Sequence, residues 1–145
     1  MYTPQMIVNG SRQFVGSDEK DLKDALDKSL HTIPAAAFKT LVANLQNNTP
    51  PQVKFSLDGD YTGCNINFAL VSLSETTSIK RGENGGLTLT NENVVRQFIS
   101  IPATTEGTIS FKAAPVPNGN NMAIVAYLQQ ANTLKIIGAA MAEIK

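Results

Sequence analysis

The chain has 145 residues with 12 basic and 12 acidic side chains, so its formal net charge is zero. It therefore lacks the basic excess of a nucleic-acid or anionic-membrane binder. With 42% hydrophobic residues it can build a core, a single cysteine excludes an internal disulfide, and no run reaches the roughly 18 apolar residues of a membrane span. The N-terminus shows neither a basic n-region nor an apolar h-region, so no signal peptide is expected in this chain.

Gln5–Val8 is a short β-branched run, and "NGS" follows it. Asn-Gly is the strongest short hairpin signal, and "RQFV" returns as a second strand before Gly16. Ser17 or Asp18 can cap a helix, and Leu22, Ala25, Leu26 and Leu30 make its apolar stripe, which predicts a helix over 18–30. Pro34 suits a first helical position. Phe38, Leu41, Val42 and Leu45 repeat at i, i+3, i+4 and i+7, which predicts a second helix over 35–46. "NNTPP" at 47–51 breaks the pattern and marks a domain boundary.

Past Pro51 the period changes to two. "QVKFSLDGD" alternates, and "NINFALVSLS" at 65–74 is apolar on both faces, as a central strand is. "GENGG" at 82–86 reads as a turn needing positive φ at Gly85 or Gly86, and 87–101 is rich in β-branched residues. Further strands are expected over 107–113, 122–129 and 134–144. The reading is α+β: a β-hairpin with two helices over 1–48, then an antiparallel β-sandwich-like domain over 51–145.

Few residues here carry chemistry. Cys64 is either a reactive thiol or a small buried hydrophobe, and the second fits a lone thiol at the start of an apolar strand. His31 follows the first helix, where a cation suits the C-terminal end. One Cys and one His do not make a zinc site. The acids of 18–24 lack the spacing and central Gly of a calcium loop and read as a solvated helix face. No metal, cofactor or catalytic residue is expected. The most concentrated polar set is Arg81, Glu83, Asn84, Asn91, Asn93 and Arg96, which either lines a polar site or ties the turn to its strand, with Arg96 held by Glu83.

The segments "YTPQMIVNGSRQFVGSD", "RGENGG" at 81–86 and "NVVR" at 93–96 resemble a secreted bacterial family, domain of unknown function 1223. Its members often carry His where this chain has Asn91, and their counterpart of 31–50 is shorter. The resemblance implies a thioredoxin-like start whose Cys-x-x-Cys would lie upstream of Met1, and it implies that Pro4 is the cis-proline. On that basis the expected function is a non-catalytic fragment of a periplasmic or secreted protein whose β-domain binds a protein or small-molecule partner. The alternatives are an oligomerisation module pairing sheets with a second chain, for instance a homodimer through the edge at 5–8, or a small hydrolase using the polar residues of Arg81–Arg96.

Overall fold

The computed structural model describes residues 4–44, 50–112 and 121–144. The chain begins with a hairpin of β1 (Gln5–Val8) and β2 (Arg12–Val15), paired antiparallel, followed by helix α1 (Glu19–Leu30). Asn9 and Gly10, at φ 49° and 67°, give the turn two left-handed residues, which is why Asn-Gly sits there. Asp18 caps α1 by accepting from the backbone N–H of Asp21 at 2.9 Å, and Ala25 is buried. Leu22 is half-buried, whereas Leu26 and Leu30 stand exposed, so the predicted stripe is only partly used.

The second expected helix is a strand, β3 (Ala36–Asn44). It pairs antiparallel with β4 (Gln52–Gly59), and a bulge shifts the register between Phe38 and Thr40. The bulge explains the misleading spacing. Ala36 and Phe38 face the core before it and Leu41 and Ala43 after it, so an inserted residue turns a period of two into an apparent i, i+3 step. Leu45 and most of the boundary expected at 47–51 lie outside the described residues. The α+β reading, with two helices and a thioredoxin-like start, is thereby corrected. The described chain is mostly antiparallel sheet with one short helix, and 36–44 pair directly with the strand that begins at 52.

The remaining strands are β5 (Cys64–Ser78), β6 (Thr88–Pro102), β7 (Glu106–Ser110), β8 (Met122–Gln130) and β9 (Ile136–Glu143). They form a three-stranded sheet, β3-β4-β7, and a four-stranded sheet, β6-β5-β8-β9, both antiparallel. As the two apolar faces predict, β5 is central. One core lies between the sheets: Val53, Phe55 and Leu57 from β4 meet Ile66, Phe68 and Leu70 from β5 and Ile124, Ala126 and Leu128 from β8. The Phe55 and Phe68 rings are 5.2 Å apart and tilted by 50°, a tilted pairing that aromatic quadrupoles favour.

The hairpin is anchored to this sandwich through its turn. The Ile136 N–H donates to the Asn9 carbonyl at 2.9 Å, and a Cβ on Gly10 would lie 2.1 Å from the Leu134 carbonyl oxygen. Only glycine lets the two backbones meet this closely.

Candidate functional site

β5 and β6 are each 15 residues long, but β8 covers β5 only from Cys64 to Ser72. Beyond Ser72 no further strand pairs with these two among the described residues; they pair with each other at Ser74↔Glu92, Glu75↔Asn91, Thr76↔Thr90, Thr77↔Leu89 and Ser78↔Thr88, and the Asn121 side chain donates to the Ser74 carbonyl at 2.8 Å. This ribbon is a β-arm projecting past the sandwich. Its far half is exposed throughout except for half-buried Ile79. One face is a ladder of hydroxyls: Ser74 donates to Glu92 at 3.0 Å, Thr76 meets Thr90 at 3.1 Å and Ser78 meets Thr88 at 3.3 Å. Such cross-strand bonds stiffen an isolated ribbon by about 0.2–1 kcal/mol per pair.

The turn at the tip is closed by Ile79 N–H to the Leu87 carbonyl (2.9 Å) and Gly86 N–H to the Ile79 carbonyl (2.8 Å). Gly86 has φ 88°, as the turn chemistry predicts; Gly82, at φ 90°, shares the role, and Gly85 does not.

All six residues of the predicted polar cluster lie on this arm, but not as one site. Arg81, Glu83 and Asn84 are at the tip, Asn91 is opposite Glu75, and Asn93 and Arg96 lie near the base. The "NVVR" segment interrupts the regular ladder of the arm. Asn93 adopts φ 52°, which Asn tolerates better than most residues, and Arg96 is the extra residue of a bulge, because Leu70 pairs with Gln97 and Val71 with Val95. Arg96 forms its ion pair with Glu75, not with the expected Glu83, and both side chains remain partly exposed. Glu83 lies at the far turn of the arm, whereas Glu75 is on the adjacent strand within reach of the Arg96 side chain.

Beside the base of the arm, the outer face of the four-stranded sheet carries an apolar row. Register places Phe98, Ala69, Val125 and Met141 side by side, with Val95, Val71 and Ala123 in the next row. Ala69, Val71 and Ala123 are buried by their neighbours, whereas Phe98 is 53% and Val95 56% exposed. This row was not singled out from the sequence. Its signal was the second apolar face of 65–74, which continues on β8.

The other candidates stand apart. Cys64 is buried at the start of β5, and burial, reinforced by the charge of Asp60, pushes its thiol above the usual range, which disfavours the reactive thiolate. Asp60 accepts hydrogen bonds from the Thr62 backbone and side chain, which hold its carboxyl below the usual range. His31 is the C-cap of α1, with Nδ1 2.6 Å from the Asp27 carbonyl. Among the described residues no three His, Cys, Asp or Glu side chains are grouped to hold a metal. The Pro4 carbonyl accepts from Gly16 N–H at 2.8 Å, while the Thr3–Pro4 bond lies partly outside the described residues. β1 has β2 on one side and, among the described residues, no strand on the other. Among the described residues no helix is long and apolar enough to cross a membrane.

The family model described as "Protein of unknown function (DUF1223)" matches residues 1–129, and the chain belongs to that family. The resemblance carried by "YTPQ", "RGENGG" and "NVVR" is thus supported over most of the chain. No curated protein and no solved structure matches it.

Proposed function

We propose that this member of a family of unknown function is a non-catalytic binding module whose β5–β6 arm engages a partner protein, with the apolar row at the arm's base as the adjoining contact. The observation that carries this reading is the arm itself. Past Ser74 and Glu92 the two strands have no other strand beside them among the described residues, and those edges offer backbone groups to another chain. Exposed Phe98 and Val95 beside it supply the apolar area that such contacts use. The hydrolase alternative has less support, because residues 81–96 are strung along an exposed ribbon rather than gathered around a cleft, and none of them is a nucleophile beside a base.

The test is an arm-shortened chain in which 75–91 are replaced by Asn-Gly, joining the opposed Ser74 and Glu92. The sandwich core makes no use of the removed residues, so the melting temperature should stay close to that of the parent. Immobilised parent chain should retain a discrete partner from an extract of the source cells that the shortened chain does not retain. Equal retention by both chains would refute the proposal.

A further inference from the structure

A groove of about 420 Å³ opens where the hairpin, α1, the residues after it and β9 come together, within the size range of small-molecule sites. Its lining contains three cations, Arg12, Lys28 and Lys135, and not one carboxylate. In a chain with as many acids as bases that is a pronounced local excess. The cations come from three separate elements: Arg12 from β2, Lys28 from the last turn of α1 and Lys135 from the turn before β9. The floor between them is apolar, with Val8, Ala25 and Ile136.

The C-terminal end of α1 faces this groove, and a helix end carries partial negative charge that would oppose an anion. Here three of its last four carbonyls accept hydrogen bonds. Ser29 Oγ donates to the Ala25 carbonyl at 2.8 Å, Thr32 Oγ1 donates to the Lys28 carbonyl at 2.7 Å, and the His31 and Thr32 N–H groups take the Asp27 and Ser29 carbonyls. Arg12 is shared with Asp21 at 3.5 Å, a long and partly exposed pair that engages one of its N–H groups and leaves the others for a ligand. The charged side chains that line the groove are all cationic.

We propose that this groove binds a small organic anion, with a carboxylate or phosphate head between Arg12, Lys28 and Lys135 and an apolar body on the floor. Arg12 supplies the planar fork that suits either head group, and the two lysines act as point charges at the rim. The site depends on the docked hairpin turn, because Asn9 to Ile136 and Gly10 against Leu134 hold β2 beside β9. It is independent of the arm.

Titration of the labelled full chain with octanoate, phenyl phosphate and neutral octanol, followed by amide chemical shifts, tests this. Octanoate or phenyl phosphate should shift the amides of Ser11, Ser29 and Ile136 saturably, with affinity falling as salt rises. Which of the two binds more tightly identifies the head group. The Lys28→Gln/Lys135→Gln chain, altered only at exposed lysines, should melt as the parent does and bind about tenfold more weakly, because two of the three cations that face the head group are gone. Saturable binding of octanol as tight as that of octanoate, affinity unchanged in the double variant, or no saturation by either anion would each overturn the proposal.

Discussion

Gly10→Ala tests the junction on which the hairpin's position rests. Gly10 has φ 67°, and an added Cβ would lie 2.1 Å from the backbone oxygen of Leu134, which is itself fixed by Gln129 Nε2 at 2.8 Å. The left-handed backbone costs an alanine about 1–2 kcal/mol. Relieving the contact requires a backbone shift of the kind that costs overpacked sites about 1–3 kcal/mol. The expected loss is therefore about 2–5 kcal/mol, unless the hairpin undocks and gives up its bond from Ile136. Thermal denaturation and amide exchange at Ile136 separate these outcomes. Concerted destabilisation lowers the melting temperature by several degrees with Ile136 still protected, and undocking exposes Ile136 with a smaller shift. An unchanged melting temperature with Ile136 as protected as in the parent would refute the close approach.

Phe68→Ala should cost about 3–5 kcal/mol in denaturant unfolding, because the ring is buried between both sheets and touches Phe55; a loss below about 1 kcal/mol would mean that the sheets do not share a core. Arg96→Gln should cost under about 1 kcal/mol, because its pair with Glu75 is partly exposed, and a larger loss would restore a buried network. Native Cys64 should react with a thiol reagent at pH 8 far more slowly than in denaturant. Its folded pKa is raised, so its contribution to stability is present below the ordinary thiol range and is lost as pH rises through the folded value. Asp60 has the opposite sign: its folded pKa is lowered, so its stabilisation holds above about pH 4 and is lost as pH falls through the folded value. The stability gap between parent and Asp60→Asn should narrow in that acid range, and a gap that widens there would contradict the hydrogen-bonded carboxylate.

The hairpin was legible because Asn9-Gly10 is turn chemistry that works without tertiary help, and α1 because its cap and stripe are local. β5 was legible as a central strand because both its faces are apolar. β3 was not. A bulge imitates helical spacing, and the partner that decides for a strand, Gln52–Gly59, lies beyond the breaker at 47–51. The polar residues of 81–96 stood out as a cluster in sequence, but an extended ribbon spaces neighbours about 3.3 Å apart along its axis and spreads them. The cationic groove escaped notice because Arg12, Lys28 and Lys135 are far apart in sequence and meet only through the docking of Gly10 on Leu134.

The arm as a partner-binding element is tested most directly by photocrosslinking in the source cell. A photoreactive residue at Leu89 on the arm is compared with one at exposed Lys54 on the three-stranded sheet. Position 89 should give discrete adducts that position 54 does not, with an adduct of twice the 15.5 kDa chain identifying a second copy as the partner. No discrete adduct at 89, or the same adducts from both positions, would contradict it.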